Sequence, residues 1–185
     1  MFCQIIELFA KLFLLLRTRI DSFKKNHVKN TFLYTLIGVH TSIEDYRLAY
    51  LLNKNLGIQF RRYKEDLDLF ENSAKSSFSI FIFDDKKNQT TWTLISNKNI
   101  PTESVSETTD SLFASEQKSV FLIPEKRTVD YLIRIDGIFP NSFIKSIIEA
   151  IKKINNIMTL YTIDPMDLKS RDHLIFETKP GNIYL

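Results

Sequence analysis

The sequence is poor in glycine, cysteine and histidine, and each shortage removes a class of chemistry. Four glycines in 185 residues leave no glycine-rich run to lay backbone N–H groups around a phosphate, so phosphate-cradling loops are excluded by supply. One cysteine, Cys3, permits no intrachain disulfide. That suits a reducing compartment, and a cytoplasmic location is expected. The three histidines, His27, His40 and His173, stand far apart and show no metal-ligand spacing. No cofactor or metal is expected.

Net charge is also in short supply. The formal charge is +3, and it is placed unevenly. Residues 1–30 hold six basic residues (Lys11, Arg17, Arg19, Lys24, Lys25, Lys29) against Glu7 and Asp21, a net of +4, so the remainder carries −1. A nucleic-acid-binding surface normally needs a basic face, which this remainder lacks, so nucleic acid is not an expected partner.

What is present is an ordinary globular composition, 44% hydrophobic and 25% charged, at a length that supports one domain with a real core. Fifteen Phe and seven Tyr against one Trp predict an aromatic-rich interior. The abundance of Lys, Asn, Ile and Phe and the rarity of Ala have the look of AT-rich coding DNA.

Residues 1–30 form an apolar and basic extension. On a helix, Gln4, Glu7 and Lys11 fall on one polar stripe among Ile5, Ile6, Leu8, Phe9, Leu12 and Phe13. The run is too short and too interrupted for a membrane span, and its charge follows the apolar stretch, the reverse of a signal peptide. Three readings stand: a helix packed on a partner or on the domain, an interfacial helix touching a membrane through residues 1–20, or upstream sequence read from an early start codon.

Beyond it, residues 31–38 (TFLYTLIG) read as a strand. Thr41 and Glu44 have capping-box spacing, with Ser42 a rival cap, and the helix that follows stops at Gly57. Residues 58–72 are charged and ambiguous. Residues 78–83 (FSIFIF) and 91–96 (TWTLIS) are strands of a hairpin around DDKKNQ. Residues 97–117, rich in Ser, Thr, Asn and Glu, read as a long surface loop. Residues 120–123 and 129–135 are strands and Asp136-Gly137 a turn. Asn141 or Ser142 caps a helix over 143–154, residues 157–163 (IMTLYTI) are a strand, and Asp164-Pro165 starts a short helix. Leu174 to Phe176 forms one apolar patch in the tail.

The order β-α-β-β-(β)-β-α-β predicts an α+β fold: a two-layer sandwich with a mainly antiparallel sheet and two main helices in ferredoxin-like order. The domain is expected over 31–176, with 177–185 as a tail.

The densest polar cluster is residues 123–131 (IPEKRTVDY). Ile123-Pro124-Glu125 followed by Val129-Asp130-Tyr131 resembles the signature of the IPExxxVDY family, found mostly in Bacteroidetes. Leu36-Ile37-Gly38, Asp45-Tyr46-Arg47-Leu48, Leu52-Asn53-Lys54, Ile163-Asp164-Pro165 and Leu168-Lys169-Ser170 resemble further parts of that family. The resemblance spans about 31–176. It implies no biochemical activity, and it carries no catalytic or binding residue with it.

The residues themselves offer one candidate polar cluster: Asp45, Arg47, Glu125, Asp130 and Tyr131. Glu125 and Asp130 are paired carboxylates of the kind that perform acid–base work or hold a cation. The structural alternative has Asp130 accepting hydrogen bonds from connector N–H groups and Arg47 pairing with Asp130 or Glu125 to fix register. Asp45 suits the positive end of the helix. Asn53-Lys54 reads as a helix end. No local nucleophile motif appears, and no catalytic residue is assigned.

The function expected first is a non-enzymatic protein-interaction or regulatory module with a protein partner, a homodimer being one form. The second is a small-molecule-binding or enzymatic domain built on Arg47, Glu125 and Asp130. The third is RNA binding, through aromatics of FSIFIF and a basic stripe of Arg61, Arg62 and Lys64.

Overall fold

A computed structural model of the chain describes residues 34–71, 74–99 and 119–176. The N-terminal extension, residues 31–33, most of the expected loop and the tail beyond Phe176 lie outside the described residues. The fold is mixed α+β, with a mainly antiparallel sheet and two helices.

The first strand, β1 (Tyr34–Thr41), is followed by helix α1 (Asp45–Leu56). The chain continues through β2 (Arg61–Arg62), β3 (Leu67–Glu71), β4 (Ala74–Phe78), β5 (Ile80–Asp85) and β6 (Thr90–Ser96). Two short strands, β7 (Lys98–Asn99) and β8 (Val120–Phe121), lead to a 3-10 turn at Pro124–Lys126. Then come β9 (Tyr131–Asp136), helix α2 (Asn141–Lys152) and β10 (Ile157–Ile163), closed by 3-10 turns at Pro165–Asp167 and Arg171–Leu174.

Six strands form the main sheet in the order β10-β1-β9-β6-β5-β2, and every neighbouring pair is antiparallel. Two small ribbons, β3-β4 and β7-β8, stand beside it. The continuous burial of Leu36, Ile37, Gly38 and Val39 follows from covering both sheet faces, because successive side chains point to opposite sides. Ile37 and Val39 join Trp92, Leu94, Ile133 and Ile135 under the helices, with Leu48, Leu52, Ile144, Ile147 and Ile151 packed on them. Leu36 points the other way, with Ile80, Ile82, Ile95, Leu132 and Ile163.

That second face is not left open as a two-layer sandwich would leave it. Leu122, Ile123 and Val129, all 0% exposed, lie across it with Leu168 and Leu174. An irregular third layer therefore covers the sheet opposite the helices, and each fully buried aliphatic side chain there contributes about 1.5–3 kcal/mol.

Several local expectations shift. Thr41 is the last residue of β1 and does not cap α1; the N-cap position belongs to Glu44, which makes no side-chain cap bond. Thr41 Oγ1 is engaged elsewhere, donating to the Asn156 carbonyl at 2.8 Å and accepting the Ile43 N–H at 3.1 Å. Gly57 ends α1 in the left-handed region with φ 68°. FSIFIF is broken at Ser79, between β4 and β5. The described residues 58–71 of the ambiguous stretch include β2 and β3, and Lys98-Asn99 of the expected loop pairs with β8. α2 begins at Asn141, after Pro140 in the cap position, so neither Asn141 nor Ser142 caps it. Asp164 does cap its 3-10 turn, its Oδ1 accepting the Met166 N–H at 2.9 Å.

Candidate functional site

The segment 123–131 is shaped by apolar anchors at both ends. Ile123 and Val129 are fully buried, and Pro124 opens the intervening 3-10 turn, where its missing N–H costs nothing. The Lys126 N–H donates to the Ile123 carbonyl at 2.9 Å and the Val129 N–H to the Lys126 carbonyl at 3.0 Å, closing two consecutive turns. Arg127 and Thr128 are left at the exposed tip. The strand therefore begins at Tyr131, later than the hydrophobic run predicts.

Asn97 holds this segment in place. Its side chain, 0% exposed, donates to the Lys126 and Val129 carbonyls, each at 2.9 Å, and accepts the Ile123 N–H at 2.8 Å. Its backbone N–H donates to the Asp130 carbonyl at 2.9 Å, and its carbonyl accepts the Leu122 N–H at 2.9 Å. One buried amide satisfies the Ile123 N–H and the Val129 carbonyl, which the irregular segment would otherwise leave unpaired, and gives the Lys126 carbonyl a second donor beside the Val129 N–H. Sequence reasoning missed Asn97, which sits in a polar stretch with the composition of a loop and whose partners are 26 to 32 residues away.

Asp130 Oδ2 accepts the Thr41 N–H at 2.9 Å, and the Asp130 N–H donates to the Val39 carbonyl at 3.0 Å. The carboxylate thus extends the β1–β9 ladder beyond the first residue of β9. The Tyr131 hydroxyl donates to the Ile43 carbonyl at 2.9 Å, tying β9 to the entry of α1. Burial first, and then the charges of Asp45, Asp130 and Glu44, push that hydroxyl well above its ordinary range.

Glu125 lies apart from this group. Its Oε1 accepts the Ser170 N–H at 2.8 Å and the Ser170 hydroxyl at 3.2 Å, tying the turn to the chain after β10. Slight burial raises its carboxyl, but hydrogen bonds from its own N–H, from Ser170 and from the Lys169 N–H outweigh this and leave it below the usual range. Arg47 is exposed on α1 and belongs to none of the ion pairs found among the described residues. Asp45 Oδ1 accepts the adjacent Tyr46 N–H at 2.6 Å. The structure therefore brings Asp130 and Tyr131 together, with the charge of Asp45 close by, and brings neither Arg47 nor Glu125 to them.

An open depression of about 220 Å³ lies over this junction, lined by Ser42, Glu44, Ser96, Lys98, Asp130 and Tyr131 among others. Its groups have little reactive capacity. The Ser96 hydroxyl donates to the Lys98 carbonyl at 2.8 Å, the Tyr131 proton is committed to Ile43, and Asp130 is held by the Thr41 N–H. Among the described residues no three His, Cys, Asp or Glu side chains gather as a metal site.

The other motifs are also turned inward. Asn53 brackets the backbone of Phe60, donating to its carbonyl at 3.0 Å and accepting its N–H at 2.6 Å, and so fixes the exit from α1. Phe78 and Phe81 are buried and present no face for stacking a base. Arg62 pairs with Asp66 and lies over the Phe81 ring at 5.5 Å, so the stripe Arg61–Arg62–Lys64 is interrupted by an internal partner. Arg134 clamps the closing segment: it pairs with Asp136 at 2.7 Å, donates to the Leu174 carbonyl at 2.6 Å, and lies over the rings of Tyr34 (4.7 Å) and Phe176 (5.4 Å).

No helix among the described residues is long and apolar enough to cross a membrane. Comparison of the chain with protein-family models, with curated proteins and with solved structures finds no match in any of the three.

Proposed function

We propose that this protein is a non-enzymatic protein-interaction or regulatory module of the cytoplasm. One observation carries the reading: the polar groups of its most distinctive segment are spent on the protein's own backbone. Asn97, Asp130, Tyr131 and Glu125 each engage a main-chain group. A catalytic constellation needs a nucleophile or base aimed at space that a substrate can enter, and these groups point at Thr41, Ile43, Ile123 and Ser170 instead. The outward surface offers contact groups: Tyr46 and Tyr50, one helical turn apart on α1, are 64% and 63% exposed.

On this proposal the chain belongs with the IPExxxVDY family that residues 123–131 resemble, a likeness that brings neither an activity nor a binding residue. In this reading the strands β10-β1-β9-β6 with α1 and α2 are a ferredoxin-like core, extended at the β6 side by β5 and β2. Affinity purification of the tagged full chain from its native host, followed by mass spectrometry, tests the proposal. Reproducible recovery of a protein partner supports it; a co-purifying small molecule with no protein overturns it in favour of a ligand-binding domain at the Asp130–Tyr131 depression.

A further inference from the structure

The two edges of the main sheet are built differently. At one end β2 is two residues long, and both are arginine. Short, charged edges resist pairing with another chain. At the other end β10 (IMTLYTI) runs for seven residues with no charge and no proline. Among the described residues nothing pairs with its outer side. Its register against β1 shifts between His40 and Thr41, which places one extra residue at Met158 and leaves Thr159 to Ile163 regular. Met158, 68% exposed, Thr159 and Thr162 present their side chains to solvent along this strand.

The charges flanking β10 have a sense. Lys152, paired with Glu149 at 2.9 Å, and Lys153 precede the strand, and Asp164 and Asp167 follow it directly, ahead of Lys169 and Arg171. When two copies of one strand pair antiparallel about a twofold axis, the beginning of each meets the end of the other. For β10 that sets the basic flank of one copy against the acidic flank of the second, twice, around an uncharged centre near Leu160. A parallel pairing would set like against like.

We infer that β10 is a homodimer edge, where a second copy of this chain adds its own β10 antiparallel and joins two six-stranded sheets into one. This rests on the interaction-module reading and names its partner as self. The added strand gains main-chain hydrogen bonds that the exposed edge otherwise makes to water.

Sedimentation equilibrium of the full chain tests the inference, with the variants Thr162→Lys on the edge and Asn55→Lys in the exposed last turn of α1. Both positions are solvent-facing, and circular dichroism melting verifies that each variant folds. The expected result is a dimer for the parent and for Asn55→Lys, a dissociation constant raised at least about tenfold for Thr162→Lys, and weaker association in high salt. A parent that stays monomeric up to about 100 µM overturns the inference, as does a Thr162→Lys variant that dimerises as tightly as the parent. A monomer whose β10 amides resist hydrogen exchange also overturns it and places another segment of the same chain on the edge. A monomer that still captures a different protein from its host removes the dimer and leaves the interaction-module reading standing.

Discussion

The side-chain amide of Asn97 donates to the carbonyls of both Lys126 and Val129, at 2.9 Å each. These bonds bind the end of β6 to a segment about thirty residues further along the chain. The polar signature of this protein is organised by a residue outside it.

Asn97→Ala leaves the Ile123 N–H and the Val129 carbonyl short of a partner, and the Lys126 carbonyl with the Val129 N–H alone, in a site that admits little water. The expected loss is about 3 kcal/mol in urea unfolding. Asn97→Asp is expected to lose at least as much at neutral pH, because it turns a carboxylate oxygen toward two carbonyl oxygens. Equal stability of the parent and Asn97→Ala would show that the amide is not holding the segment.

Gly38 lets the irregular layer approach the sheet. A Cβ at this position would meet Ile163 Cδ1 at 2.9 Å and Val129 Cγ2 at 3.1 Å. Gly38→Ala is expected to cost about 1–3 kcal/mol by overpacking. Val129→Ala removes one of the two obstructing groups, so the double variant should lose less than the sum of the two single losses. Strict additivity in a thermal-melt cycle would contradict this contact.

Tyr131 gives the fold an alkaline limit. Its hydroxyl titrates above the ordinary value of 10.0 in the folded chain, through burial and the neighbouring acids. The folded pKa is raised, so its contribution is complete below the unfolded value of about 10 and is lost as pH climbs past it. Tyr131→Phe should cost about 1 kcal/mol at pH 7 by losing the bond to Ile43. It should also flatten the decline in stability above pH 10 relative to the parent. A variant with the parent's full alkaline decline would assign that decline to other groups.

Arg134 joins the sheet to the closing segment through four partners, so Arg134→Met should loosen one region more than the rest. The expected cost is about 2 kcal/mol, because Asp136 keeps its partly buried carboxylate without a cation. Amides of 171–176 should exchange faster with solvent while those of α1 hold their protection. Uniform acceleration across the chain would contradict a local clamp.

Most of the regular elements were legible because their signals are local. The apolar stripe of α2, the stop at Gly57 and the Asp164-Pro165 start each lie within a few residues of the structure they determine. The caps were misread where a distant partner competes: Thr41 has the right type and spacing for a cap, yet its hydroxyl is taken by Asn156, far along the chain. The covering of the second sheet face was illegible for the same reason. Leu122, Ile123 and Val129 read as parts of two strands, since a hydrophobic run says that it is buried and not whether it lies in a sheet or across one. Within the candidate cluster, Asp130 accepts a backbone N–H, but that of Thr41 on β1 where the sequence reading expected those of the connector, and the expected pairing of Arg47 with Asp130 or Glu125 does not form.

The central claim is that the acids of the 123–131 segment hold the fold and do no chemistry, and Asp130 tests it most directly. Equilibrium urea unfolding of Asp130→Ala should show a loss of about 1–2 kcal/mol, since the Thr41 N–H loses its acceptor where β1 turns into α1. An Asp130→Ala protein as stable as the parent would contradict the account and return Asp130 to the class of residues kept for a ligand or a reaction.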